Sequence, residues 1–190
     1  LKSSKNLLKK LDITNKPTWS LSLDNSDNMV IADQSDKIRI LNGDLVKGES
    51  FDSKLTGPKS VLSDNNRFLI GNSEGLFQLS KDTMSIRKIM TIPVSVVKRV
   101  KDQFLIGTVD GKIISLGAEN LTEIESFTVD SQFPIFDISS YNNELYIATQ
   151  GGLYKKDSSG INNIYSHDMV FCLSANKNSV YFGTPKNILR

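Results

Sequence analysis

The feature that most limits how this chain can fold is a short pattern that occurs five times. The stretches Ile31–Ile38, Ile70–Phe77, Ile106–Ile113, Ile147–Tyr154 and Phe182–Leu189 align without a gap. Each opens on an apolar residue, continues with Gly or Ala, passes three variable positions and then places Asp36, Gly75, Gly111, Gly152 or Asn187. The small residues Ala32, Gly71, Gly107, Ala148 and Gly183 lie 39, 36, 41 and 35 residues apart. A near-constant period of this size marks an array of like units, none of which can bury its apolar surface alone.

Gly, Asn and Asp are the residues that enter positive φ at least cost, so the last position of the motif predicts a tight hairpin turn. The preceding Gly or Ala predicts close approach to a neighbouring backbone, where a larger side chain would clash. Before the motif lie β-rich runs such as Arg67–Ile70, Gln103–Ile106 and Glu144–Ile147, so the motif joins a second strand to a third. A first strand is predicted over Trp19–Leu23, Ser60–Leu62, Val94–Val97, Ile135–Ile138 and Val170–Leu173. Four of these runs closely follow Pro17, Pro58, Pro93 or Pro134. Proline suits a strand start because no ladder hydrogen bond is asked of it there. A fourth, more polar strand is predicted over Leu45–Phe51, Met84–Met90, Leu121–Val129 and Ile161–Tyr165, with the alternation of a half-exposed edge. Four strands per unit, grading from apolar to polar, describe a propeller blade read from its axis outward. The fold expected is therefore all-β, a single β-propeller domain over residues 1–190 with five four-stranded blades. The fifth unit reaches only three strands by Arg190, and residues 7–13 are expected to supply its fourth, closing the ring by pairing the two ends of the chain.

The stretch Glu144–Tyr154 resembles the repeat of sensor propellers in bacterial two-component regulators, and Phe104–Ile113 is similar to a WD40 blade. The resemblance implies the architecture. It does not carry over the hydrogen-bonded tetrad of WD40 repeats, because the only tryptophan, Trp19, is followed by Ser20 and not by Asp.

Composition narrows the chemistry. With 23 basic and 21 acidic residues the net charge is +2, without the basic excess of a phosphate-tracking protein, so no nucleic-acid partner is expected. No apolar run reaches the ~18 residues of a membrane-spanning helix, and no membrane insertion is expected. Residues 1–12 lack the apolar stretch of a signal peptide, which favours a cytoplasmic or nuclear protein. The sequence opens on Leu1, so that expectation concerns these residues alone. One cysteine, Cys172, and one histidine, His167, rule out an internal disulfide and any multi-cysteine or two-histidine metal site. No phosphate-loop, dinucleotide or EF-hand pattern occurs, so no cofactor or metal is expected.

Propellers carry function on loop faces and along the central channel. On the face formed by the loops entering the first strand and the second-to-third turns, the sequence places Asp33, Asp36, Glu74, Asp110, Asp130 and Asp168, opposed by Lys16, Lys59 and Lys186. This is a candidate acidic docking ring, against the simpler reading of solvated turn residues. The opposite face carries Lys98, Arg99 and Lys101 as a candidate basic patch, with Lys81 and Lys177 near it, against a role in solubility. His167 beside Asp168 reads as a turn, since adjacent residues of an extended segment point apart. Cys172, between Phe171 and Leu173, reads as a buried inert thiol. Asp137 is the one acid within a predicted inner strand. Glycosidase chemistry needs a second carboxylate at a fixed separation, and none is placed. The expectation is a non-catalytic scaffold that binds one or more protein partners. The alternatives are a small-molecule or glycan-binding sensor propeller and, behind it, a five-bladed glycosidase-like enzyme.

Overall fold

The computed structural model describes residues 16–24, 28–35, 37–41, 48–53, 55–130 and 132–190, which contain nineteen strands and no helix. Blade 1 comprises β1 (Thr18–Leu23), β2 (Met29–Asp33), β3 (Lys37–Leu41) and β4 (Gly48–Asp52). Blade 2 comprises β5 (Ser60–Asp64), β6 (Arg67–Asn72), β7 (Gly75–Ser80) and β8 (Ile86–Met90). Blade 3 follows with β9 (Val94–Val100), β10 (Gln103–Thr108), β11 (Lys112–Gly117) and β12 (Glu123–Thr128). Blade 4 holds β13 (Ile135–Tyr141), β14 (Glu144–Thr149), β15 (Gly152–Asp157) and β16 (Gly160–Tyr165). Blade 5 holds β17 (Cys172–Ala175), β18 (Val180–Gly183) and β19 (Ile188–Leu189). Every sheet is an antiparallel meander whose neighbours in space are neighbours in sequence. The first strands lie side by side, β1 with β5, β5 with β9, β9 with β13 and β13 with β17. The chain is thus an all-β five-bladed β-propeller. Among the described residues the fifth blade has three strands, and the expected pairing of residues 7–13 lies outside them.

The core lies between blades. Because alternate residues of a strand point to opposite faces, Phe68, Ile70 and Phe77 of blade 2 pack with Val30, Ala32 and Ile38 of blade 1, while Leu69 and Leu76 pack with Val97, Phe104 and Ile106 of blade 3. Analogous clusters join blades 3 and 4 around Leu105, Ile113, Ile135 and Ile147, and blades 4 and 5 around Leu153, Val170 and Phe182. A sheet covered on both faces needs runs such as Phe68-Leu69-Ile70 without a polar break. The outer strands β12 and β16 are largely exposed.

The repeat motif gains two corrections. Its first "variable" position is never variable in chemistry. Asp33, Asn72, Thr108, Thr149 and Thr184 each turn a side-chain oxygen into the hairpin. The acceptors take the N–H groups of Ser35 at 2.7 Å, Glu74 at 2.8 Å, Lys112 at 2.9 Å, Gly151 at 3.0 Å and Asn187 at 3.0 Å respectively. Short polar side chains that bond backbone two to four residues on are what hold such turns. The second correction concerns the small residue. A Cβ on Gly71 would meet Val94 Cγ1 of the next blade at 2.4 Å, and one on Gly107 would meet Val96 Cγ1 of its own blade at 2.5 Å and Ile135 Cγ2 of the next at 2.7 Å, so the close neighbours are side chains and not a backbone. The turn glycines behave as the sequence implies, with φ of +136° at Gly75, +78° at Gly111 and +120° at Gly152.

Strand limits shift for local reasons. Met84 and Leu121 adopt positive φ and belong to turns, so the fourth strands of blades 2 and 3 begin two residues later than predicted. The first strands of blades 3 and 4 run three residues further, to Val100 and Tyr141.

Candidate central channel

Strand registers superpose the five inner strands. Ser20 pairs with Ala32, Ser60 with Gly71, Val96 with Gly107, Asp137 with Ala148 and Cys172 with Gly183. At this level each blade reaches the next. Ser20 Oγ accepts the N–H of Val61 at 3.1 Å, and Ser60 Oγ accepts that of Val97 at 3.0 Å. Asp137 Oδ2 accepts the N–H of Leu173 at 2.8 Å. Blade 3 has Val96 here and uses the preceding Ser95, whose hydroxyl donates to Ile135 O at 2.6 Å. A β-bulge at this level in blades 1, 3 and 4 sets one extra residue, Trp19, Ser95 or Phe136, beside the ladder, which re-aims its side chain.

The inner strands surround a cavity of about 480 Å³ whose lining includes Trp19, Lys59, Lys98, Phe136, Asp137 and Phe171. Phe136 and Phe171 stack with ring centroids 5.6 Å apart. Trp19 is 57% exposed and Phe171 47%, so one member of the stacked pair and the indole of Trp19 are open to solvent. Asp137 is the only acid among the described residues lining the cavity. Its Oδ1 accepts the N–H of Ile138 and lies 2.9 Å from the Lys98 ammonium. Together with the Leu173 contact, this commits the carboxylate to blades 3, 4 and 5 at once. It is built as a tie between blades. Among the described residues, no group of three His, Cys, Asp or Glu side chains could hold a metal ion.

The candidate acidic ring separates into different roles. Asp33 is fully buried, and Arg39 Nε lies 3.1 Å from its Oδ2. Asp36 lies outside the described residues. Glu74 and Asp110 are exposed turn residues, and Asp110 accepts a hydrogen bond from the Thr108 hydroxyl. Asp130 accepts the Tyr154 hydroxyl at 2.7 Å and the Gln132 N–H at 3.0 Å. These bonds hold its carboxyl below the usual value, the tyrosine contributing most. Burial first, then the same hydrogen bond, raises the Tyr154 hydroxyl. Asp168 lies 3.7 Å from Lys186.

The candidate basic residues are also dispersed. Lys98 and Arg99 belong to β9 and not to a loop. Lys98 points into the channel toward Asp137. Arg99 pairs with the buried Asp64, which also receives Arg67 Nε at 3.0 Å. Both guanidinium groups lie over the Phe104 ring. Lys101 donates to Asn143 Oδ1 at 2.9 Å, and Lys81 to Ser63 Oγ at 2.9 Å. A strand alternates its side chains between faces, which is why consecutive cations in the sequence do not form one patch. His167 sits edge-on to Tyr165, with centroids 5.5 Å apart. Cys172 is exposed, not buried, because its face of blade 5 is uncovered. The turn caps and the bulge aromatics escaped the sequence reading. The caps were legible as a column of Asp, Asn and Thr once the repeats were aligned, whereas the bulges depend on pairing register.

No family model and no curated protein matches the chain. Its fold is similar to that of the extracellular domain of BT4673 from B. thetaiotaomicron, a protein assigned to a hybrid two component system. The two share 15% identity with a TM-score of 0.75, over 95% of this chain and 28% of that one. It is also similar to BamB from Moraxella catarrhalis, at 17% identity and a TM-score of 0.64, over 88% of this chain and 56% of that one. The chain therefore spans only about a quarter and about half of the length of these proteins, and the likeness is one of fold.

Proposed function

We propose that this propeller is a non-catalytic binding platform whose channel mouth docks a protein partner. The observation that carries this reading is the exposed aromatic group of Trp19 and Phe171 beside Phe136, set next to Lys59 and the Lys98–Asp137 pair. Aromatic side chains with two rotatable angles give large contact area at small entropic cost, and they dominate binding hot spots. The packed row of inner strands holds them in place before binding, which reduces the ordering cost of association. The one carboxylate among the described lining residues, Asp137, is engaged by two backbone N–H groups and an ammonium, an arrangement that supports a structural role over the paired carboxylates of a hydrolase.

A second reading has its own support. The same stacked aromatics suit the apolar face of a sugar ring, and a domain of similar fold belongs to a protein assigned to a two component system. The two readings are separated by one comparison. Native pulldown with the parent and with Trp19→Ala/Phe171→Ala should recover a stoichiometric protein that the double variant loses, at equal thermal stability. If no protein is recovered and a panel of oligosaccharides raises the parent's Tm but not the variant's, the platform binds glycans instead. A channel variant that retains all binding refutes both.

A further inference from the structure

Among the described residues four blade junctions are built, and each has the same two halves. The leading half comes from the third strand of one blade. Ile38, Leu76, Ile113 and Leu153, each paired across the hairpin with the small residue Ala32, Gly71, Gly107 or Ala148, are all buried beneath the following blade. The trailing half comes from the next inner strand, where Val61, Val97 and Ile138, each one residue after the register level, are likewise buried. At three of the junctions an inner-strand side chain of the leading blade also accepts an N–H of the next blade, Ser20 from Val61, Ser60 from Val97 and Asp137 from Leu173.

Among the described residues both halves recur once more without a counterpart. Ile188 pairs with Gly183 as Leu76 and Ile113 pair with Gly71 and Gly107, yet it is 81% exposed, and Leu21 occupies the position of Val61 and Val97 and is 61% exposed. Cys172, at the level of Ser60 and Asp137, is exposed as well. Leu23, further along β1 on the same face as Leu21, is also exposed. Among the described residues, β17 and β1 do not pack side by side as the other four neighbouring inner strands do. A strand added to the outer edge of β19 would complete the fifth sheet, but it would lie at the periphery. It would leave the inner positions Leu21 and Cys172 uncovered. Exposed apolar residues at positions that a repeat buries wholly or in part in its other copies mark an unfilled interface.

We propose that the gap between blades 5 and 1 is filled by one or more further blades of this same repeat, carried on the same polypeptide outside these 190 residues. The occupant's chemistry follows from the four junctions already made. Toward Ile188 and Cys172 it presents an inner strand with a branched apolar residue and a free N–H. Toward Leu21 and Leu23 it presents a third-strand aliphatic residue and a short side-chain acceptor. The proteins of similar fold extend well past the region this chain matches, which leaves room for such blades.

Cys172 is the chain's only cysteine, and its exposure gives a direct readout. The reactivity of this thiol toward a disulfide reagent is measured in residues 1–190 and in the polypeptide of the complete reading frame, with any other cysteines changed to serine. In residues 1–190, as a monomer by light scattering, Cys172 should react nearly as fast as in the denatured chain. In the complete polypeptide it should react ~100-fold more slowly, as for a group exposed only by local opening. Leu21→Lys gives a second measure. It should leave the Tm of residues 1–190 unchanged and lower that of the complete polypeptide by ~5 °C or more, since it buries a charge only there. Protection of Cys172 in the monomeric 190-residue chain would mean that the ring closes on itself and would overturn the proposal. Protection that grows with protein concentration would assign the surface to a second copy and overturn it equally. So would a reading frame with no further repeat, or a complete polypeptide in which Cys172 stays fully reactive.

Discussion

Replacing Asp137 with alanine tests whether the channel carboxylate is a structural tie. Its oxygens accept the N–H of Ile138 at 2.9 Å and of Leu173 at 2.8 Å, and the Lys98 ammonium lies 2.9 Å away. The residue is 8% exposed, so the two N–H groups depend on it and have limited access to water. A hydrogen bond to a charged group contributes ~1.5–3 kcal/mol, and a buried donor left unpaired costs its desolvation. The Lys98 side chain is 42% exposed, which reduces its share to ~0–1 kcal/mol. Asp137→Ala should therefore cost ~3 kcal/mol. For a chain of this size that lowers Tm by ~6–12 °C. Asp137→Asn retains a carbonyl acceptor for one N–H and should cost ~1–2 kcal/mol. Lys98→Met should stay within ~1 kcal/mol. Urea unfolding with an unchanged m value measures the differences, and amide exchange at Leu173 locates them. An Asp137→Ala variant within ~2 °C of the parent, with Leu173 still protected, would refute the tie and show that Asp137 is held for another purpose.

Two further outcomes follow from the turns and the tyrosines. A Cβ at Gly111 would sit 1.6 Å from the Asp130 carbonyl oxygen at a φ of +78°, whereas one at Gly160, with a φ of +129°, meets nothing within 4 Å. Gly111→Ala should cost ~3 kcal/mol or more and Gly160→Ala only ~1–2, the backbone share alone. Equal melting shifts would show that strain and not close approach selects glycine at the motif. Tyr154 and Tyr146 both have raised hydroxyl pKa values, burial being the larger cause in each. For a raised group the stabilisation is complete below the ordinary tyrosine value of about 10 and is lost as pH rises through the folded value. Absorbance titration at alkaline pH should show two late-ionising tyrosines, and Tyr154→Phe should remove one. A parent in which all five tyrosines ionise together would contradict the Tyr154–Asp130 hydrogen bond.

Much of the architecture was legible because propeller blades interact with their neighbours in sequence. Every blade repeats its own pairing, so a period of 35 to 41 residues and the turn glycines fix the strand count in each unit. The site was far less legible. Asp33 and Asp110 look alike as turn acids, yet one is buried against Arg39 and the other exposed. Lys98 and Arg99 are adjacent in sequence, but one enters the channel and the other ties Asp64 between blades 2 and 3. Such assignments depend on where strand β9 ends and which face each residue takes, and a one-residue change in register inverts them.

By itself the sequence determined the blade, its four-strand order and the positions that must be glycine, because those follow from local turn chemistry and period-two burial. Only the tertiary structure decided what each blade meets. Bulges turned Trp19 and Phe136 toward the axis, Asp137 became a tie among three blades, and Leu21 and Ile188 were left at the surface although their counterparts are buried. The physical reason is that burial belongs to the junction between units and not to the unit. A repeat prepares both halves of an interface, and only the neighbour in space settles whether that interface is made.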